Sequence, residues 1–186
     1  MPLTPPAVPR KRMHTRSIRI EAFVRDDGLW DLEASISDIK DVDVNLLSGT
    51  RQAGDPVHSM GLRVTVDKQF NIAAASATSD ASPYGAYCTA AEPAYARLAG
   101  LNLMQGFRAK VKERLGGVAG CTHITELAAL LPTAGIQSFV GAVFHPDKVA
   151  NGIVRPFELD SCQALRSDSQ AVATYYPKWH RTEPTL

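Results

Sequence analysis

Apolar and polar residues alternate strictly in two segments of the N-terminal part of the chain, 17–25 and 30–37. A period of two residues predicts β-strands with one buried face. The Asp-Asp-Gly sequence at 26–28 is typical of a tight hairpin turn, so we expect the two strands to pair antiparallel. The apolar positions are Ile18, Ile20, Ala22, Val24, Trp30, Leu32, Ala34 and Ile36.

Two more alternating segments, 60–67 and 70–77, predict a third and a fourth strand of the same sheet. The remaining chain has helical periodicity at 93–99, at 105–115 and from Thr122 onward, with a short helix at 167–176. We expect Pro132 to kink or interrupt the third helix. The fold class is therefore α+β: a four-stranded antiparallel meander sheet followed by helices packed on one face.

Composition adds a domain organisation to this pattern. Residues 1–13 contain four prolines and a basic run, which predicts a disordered arm, whereas residues 14–186 predict a single α+β domain. A net charge of +1 argues against nucleic-acid binding. No apolar segment is long enough to span a membrane, and the N-terminal residues lack the apolar stretch of a secretory signal, so we expect a cytoplasmic protein.

The sequence Gly-Cys-Thr-His at 120–123 stands at the predicted start of the third helix. Backbone N–H groups and the helix dipole stabilise a thiolate at such a position, which favours Cys121 as a nucleophile or a metal ligand. Together with His123, the other two cysteines, Cys88 and Cys162, would complete a Cys3His set for zinc, iron or an iron–sulfur cluster. The alternative is that Cys88 and Cys162 are small buried apolar residues and that His123 only caps the helix.

A second candidate group lies in the strands, where carboxylates stand near histidine and arginine. Asp27, Glu33, His58 and Arg63, with Cys121 as a nucleophile, form a candidate acid–base site for a small substrate. The alternative is a solvated outer face of the sheet that carries cross-strand ion pairs. His58 is in phase with Met60 and Leu62, so we expect its ring on the covered face, where it needs a polar partner.

The chain resembles a bacterial family of domains of unknown function, family 2889. The resemblance rests on HTRSIRIEAFVRDDGLWDLEASISDIKD (14–41), AGDPVHSMGLRVTVD (53–67), GLNLMQGFRAKVKERLGGVAGCTHITEL (100–127) and YYPKW (175–179). It implies family cysteines at Cys88, Cys121 and Cys162 and a histidine at His123, but no established reaction. The layout is also similar to that of NifU-type iron–sulfur scaffold proteins, although Cys-Thr-His replaces their His-Cys order.

Three functions are compatible with these features. The first is a metalloprotein that binds zinc, iron or a cluster through a Cys/His site at a helix N-terminus. The second is a small-molecule lyase or hydrolase of bacterial catabolism. The third is a protein-interaction module that uses the basic helix at 105–115. The expected partner is a small molecule or a protein, and the sequence leaves the oligomeric state open.

Overall fold

The computed structural model describes residues 3–145 and 155–182 of the chain. Its strands occupy the first part of the sequence, as the alternation predicts. They are β1 (His14–Val24), β2 (Trp30–Lys40), β3 (Val44–Leu46), β4 (Gly49–Arg51), β5 (Pro56–Val66) and β6 (Ile72–Ala81).

Four of these strands form an antiparallel sheet in the order β1-β2-β5-β6. The order confirms the predicted meander and the α+β class. β3 and β4 form a separate two-stranded hairpin between β2 and β5, which the sequence pattern does not predict because three-residue strands are too short to show a period. At the β1–β2 turn, Gly28 has a φ of 83° and its N–H donates to Arg25 O, so the residue there needs the freedom of glycine.

Helical segments follow the sheet, with short 3₁₀ turns between them. The α-helices are α1 (Ala86–Thr89), α2 (Phe107–Leu115), α3 (Thr122–Phe139) and α4 (Gln170–Tyr175). The 3₁₀ segments are Glu92–Leu98, Gly117–Ala119, Gln163–Leu165 and Pro177–Trp179. Within the described residues, none of the helices is both long and apolar enough to cross a membrane.

Pro132 does not interrupt the third helix, because α3 continues from Thr122 to Phe139 with Pro132 inside it, while the alternative of a kink stays a prediction. A proline ring removes one backbone donor and disturbs the carbonyl groups of the preceding turn. The carbonyl that the missing N–H of Pro132 would have bonded is that of Ala128. Arg108 of α2 donates to the next carbonyl, Ala129 O, at 2.9 Å, so α2 contacts α3 in the turn before the proline.

The chain divides into two compact units, Met1–Ile136 and Gln137–Leu186. In the first unit, the inward face of the sheet carries the core: Leu32, Ile36 and Val64 are almost completely buried. The helices cover this face, since a Cβ on Gly135 of α3 would lie 3.4 Å from Leu32 Cδ1. In the second unit, Leu159 and Val172 are buried, and Asp160 accepts hydrogen bonds from the backbone and side chain of Ser167.

Candidate metal centre

Asp38 places a carboxylate at the end of the buried apolar row of β2. The residue follows Trp30, Leu32, Ala34 and Ile36 on the inward face and is only 3% exposed. A charged group with so little contact with water needs partners that compensate for its lost hydration. Three neighbouring elements supply them.

The first partners come from β1. Arg16 lies directly opposite Asp38 in the β1–β2 pairing and binds both carboxylate oxygens, with Nε–Oδ1 and Nη2–Oδ2 distances of 2.8 Å. His14 Nε2 lies 2.8 Å from Asp38 Oδ1. The hydrogen bonds from Arg16 have the largest effect and that with His14 adds to it, so the pKa of Asp38 lies well below its usual range. The second Nη of Arg16 donates to Glu126 of α3 at 2.8 Å, which ties the strand to the helix.

The next partner comes from β5. His58 lies opposite Asp38 in the β2–β5 pairing, next to a register shift between Asp38 and Ile39. Its Nδ1 is 3.2 Å from Asp38 Oδ2. Burial lowers the pKa of His58, and the neighbouring His123 lowers it further, although Asp38 acts in the opposite direction. The ring therefore occupies the covered face with a carboxylate partner, as its phase in the strand predicts.

The last partner stands in the first turn of α3. His123 Nε2 is 3.9 Å from Asp38 Oδ2, and its ring lies 3.9 Å from that of His58 between centroids. The ligand atoms of Asp38, His58 and His123 all lie within 4.8 Å of one another. In residues 3–145 and 155–182, this is the one group of three or more His, Cys, Asp or Glu side chains that converges in this way.

Cys121 lies on the other side of the His123 ring. Its Sγ is 3.9 Å from His123 Nδ1 and 3.8 Å from Met60 Sδ. Cys121 O accepts the first hydrogen bond of α3, from Thr125 N, so Cys121 rather than Thr122 occupies the N-cap position.

The hydroxyl group of Tyr95 fixes the backbone of Cys121 from both sides. It accepts from Cys121 N at 2.9 Å and lies 2.7 Å from Cys121 O, to which it donates. Burial raises the pKa of this hydroxyl. A Cβ on Gly120 would lie 3.1 Å from the Tyr95 hydroxyl and 2.6 Å from Leu115 O, so the close approach requires glycine at this position.

The structure keeps only part of the predicted Cys3His set together. Cys121 and His123 are neighbours, and all three cysteines are free thiols. Cys88 is half-buried in α1, and Cys162 is exposed in the second unit. Neither belongs to the group of converging side chains Asp38, His58 and His123. A ligand role for these two cysteines stays a prediction, whereas the structure adds Asp38 and His58 to the neighbourhood of His123.

The predicted acid–base residues do not form one site, because they lie on opposite faces of the sheet or beyond its end. His58 faces the helices, whereas Glu33 and Arg63 face outward and pair with each other at 2.7 Å. Asp27 belongs to the β1–β2 turn, where it pairs with Arg25. Because successive side chains of a strand point to opposite faces, Glu33 cannot share a face with Asp38.

The sequence contains a signal for His14, Arg16 and Asp38, which the predicted candidate sites do not include. His14 and Arg16 are in phase with Ile18 of β1, and Asp38 is in phase with Ile36 of β2. Polar residues that continue an apolar row point to a buried polar cluster at the end of the strands. Asp38 is buried, so it does not belong to the solvated outer face of the sheet.

Comparison with known proteins found no significant match among curated proteins and none among solved structures. The likeness to NifU-type scaffold proteins therefore has no support. Residues 14–137 match the profile of a protein family that is described as "Protein of unknown function (DUF2889)". That range contains the whole cluster around Asp38, from His14 to Glu126, together with the four-stranded sheet. The chain belongs to the DUF2889 family.

Proposed function

We propose that this protein is a metalloprotein that binds a divalent transition metal ion, zinc or ferrous iron, through Asp38, His58 and His123. The observation that carries the proposal is the convergence of their ligand atoms within 4.8 Å at a buried carboxylate. Two imidazoles and a carboxylate are a common ligand set for catalytic zinc and for non-haem ferrous iron.

The distances suit such an ion. Metal–ligand bonds of 2.0–2.1 Å in a tetrahedral site separate neighbouring ligand atoms by ~3.3 Å. The 3.2 Å between His58 Nδ1 and Asp38 Oδ2 agrees with this value. The 3.9 Å between His123 Nε2 and Asp38 Oδ2 requires the His123 ring to approach by roughly half an ångström and to turn away from its stacked position on His58.

The surroundings favour the metal-binding forms of His58 and Asp38. The lowered pKa of His58 favours the neutral imidazole, which is the form that binds metals. Asp38 is held ionised by Arg16, and each carboxylate oxygen has two lone pairs, so Oδ2 can accept from Arg16 and still bind an ion. In this arrangement Arg16 orients the carboxylate in the way that outer-shell partners orient metal ligands.

Three protein ligands leave at least one coordination position for water or a substrate. Open positions are typical of catalytic metal sites, because a bound water loses a proton near neutral pH and becomes a nucleophile. We therefore expect the bound ion to serve hydrolysis or elimination on a small molecule, and we assign no role in this reaction to the open face of the sheet.

Metal titration of the full-length protein tests the proposal. Chelator-treated protein is titrated with Co²⁺, followed by its visible absorption, and with Zn²⁺ by calorimetry. We expect one ion per chain. The variants Asp38→Asn, His58→Gln and His123→Gln should each weaken binding by about tenfold or more, whereas Asp31→Asn on the outward face of β2 and His180→Gln in the second unit should not.

Thermal melts give a second readout. Zn²⁺ at a free concentration about 100 times its Kd should stabilise the parent by about 2.7 kcal/mol, and a chelator should reverse the effect. Asp38→Asn should lose this response. The proposal fails if the parent binds no ion, or if the three ligand variants bind Co²⁺ and Zn²⁺ as tightly as the two controls do.

A further inference from the structure

The thiol sulfur of Cys121 contacts two further ligand atoms, the thioether sulfur of Met60 and Nδ1 of His123, which is the nitrogen not directed at Asp38. Cys121 Sγ lies 3.9 Å from His123 Nδ1 and 3.8 Å from Met60 Sδ. The thioether comes from the buried face of β5, where Met60 pairs with Ile36 and is 3% exposed. The thiol and the imidazole come from the start of α3.

The positions of these atoms are fixed by different elements. Met60 is held by the centre of the sheet, and Tyr95 holds the backbone of Cys121 through two hydrogen bonds. His123 is confined between Cys121 and the ring of His58. Cys121 therefore contacts both Met60 and His123 because the N-terminus of α3 lies over the inward face of β5, and sequence spacing alone does not bring Met60 to this helix.

We propose that Cys121, Met60 and His123 Nδ1 bind a soft monovalent cation, Cu⁺. Thiolate, thioether and imidazole together select Cu⁺, whereas a thioether is a poor ligand for zinc or magnesium. A three-coordinate ion with bonds of ~2.2 Å, between the metal–nitrogen and metal–sulfur values known for zinc, separates its ligands by ~3.8 Å. The distances from Cys121 Sγ to Met60 Sδ and to His123 Nδ1 agree with this value.

Charge also favours a monovalent ion. One thiolate neutralises one Cu⁺, so the occupied site would carry no net charge next to the buried thioether of Met60. This site uses Nδ1 of His123, whereas the divalent site proposed above uses Nε2. Neutral imidazole offers a single lone pair for coordination, so the two ions should bind His123 alternately rather than together.

The experiment is a Cu⁺ titration of the reduced, full-length protein under nitrogen. Cu⁺ is supplied as its acetonitrile complex in competition with bicinchoninate, and thiolate-to-copper absorption in the ultraviolet reports binding by Cys121. We expect one Cu⁺ per chain. Met60→Leu, which preserves side-chain volume, and Cys121→Ser should each weaken binding by about tenfold or more.

Matched controls separate this site from its alternatives. Met104→Leu on an exposed methionine and Cys88→Ser and Cys162→Ser on the other thiols should leave the Cu⁺ affinity unchanged. Asp38→Asn should also keep Cu⁺ binding while it loses Co²⁺ binding, so the two proposals can fail separately. Equal Cu⁺ affinity of the parent and Met60→Leu, each folded by circular dichroism, would overturn the proposal, as would loss of binding in Cys88→Ser or Cys162→Ser.

Discussion

The two faces of the four-stranded sheet each carry an arginine–carboxylate pair at directly opposed positions of neighbouring strands. On the covered face Arg16 binds Asp38, whose side chain is 5% exposed. On the open face Arg63 binds Glu33, and these side chains are 55% and 39% exposed. The local pairing is the same, but water reaches only one of the two carboxylates freely.

This difference in hydration decides what each pair can do. Glu33 and Arg63 can separate and be solvated, so their attraction is screened and contributes little. The Asp38 carboxylate is shielded from water, so its charge is compensated by Arg16, His14 and His58, which contact its two oxygens. A buried charge thus organises a cluster of titratable groups, whereas an exposed pair of the same chemistry remains a feature of the surface.

Removal of the two arginines should give the largest contrast between the faces. Arg16→Met leaves Asp38 buried without its guanidinium partner, and we expect the free energy of unfolding to fall by about 2 to 3 kcal/mol. The value lies at or below the lower end of the range of about 3 to 5 kcal/mol for broken buried pairs, because His14 and His58 remain beside the carboxylate. Urea unfolding at neutral pH measures it.

Arg63→Met is the matched control on the open face. It should cost about 0.5 kcal/mol or less, as is usual for exposed ion pairs. Equal losses in the two variants would show that the buried position of Asp38 has no energetic consequence, and the comparison of the two faces would then fail.

The next largest effect should be the loss of stability at acid pH that protonation of Asp38 causes. The pKa of Asp38 is lowered in the folded state, so its contribution is complete above the unfolded pKa, near 3.9, and is lost as the pH falls toward the folded value. Asp38→Asn should therefore remove on the order of 2 kcal/mol of the stability loss between pH 5 and pH 2. Urea unfolding of the parent and of Asp38→Asn at several pH values in this range measures the difference.

A smaller effect is expected from His58. Its pKa is lowered, first by burial, so the unfolded chain binds a proton more readily than the folded protein does. The folded state gains stability as the pH rises through the range between the folded pKa and about 6.5, and loses it below. In the presence of a chelator, His58→Gln should flatten this part of the stability–pH curve. An unchanged curve would contradict the lowered pKa.

The smallest effect concerns the coupling of the open-face pair. A double-mutant cycle with Glu33→Ala and Arg63→Ala should give an interaction energy of about 0.5 kcal/mol or less, and this energy should decrease in high salt. A coupling of several times this value would mean that the outward face is covered in solution, because only exclusion of water makes such a pair strong.

The sequence predicted the sheet well because the signal was local. Alternation in β2 places Leu32 and Ile36 inward, and the turn at Gly28 sets the pairing with β1. Pro132 does not interrupt α3, because the length of this helix depends on tertiary packing as well as on the proline itself. Local pattern alone does not contain that information.

For the site, the sequence identified Cys121, His123 and His58 but neither Asp38 nor the way these residues assemble. Cys121 and His123 stand out from their motif at a helix start, and the phase of His58 places it inward. The cross-strand row Arg16–Asp38–His58 requires the strand order and the register on both sides of β2, including the shift after Asp38. These are long-range properties, and no spacing within one segment encodes them.

Because β1 is an edge strand, the cluster around Asp38 can open without unfolding of the rest of the sheet. Among the strands of the described residues, β1 hydrogen-bonds to β2 alone, yet it supplies both His14 and Arg16. A sub-global opening that peels off this strand withdraws both groups from Asp38 and leaves the β2–β5 ladder intact. Amide protons of β1 should therefore exchange with D₂O before those of β2. The free energy needed to open the cluster is then smaller than the free energy of unfolding of the whole protein.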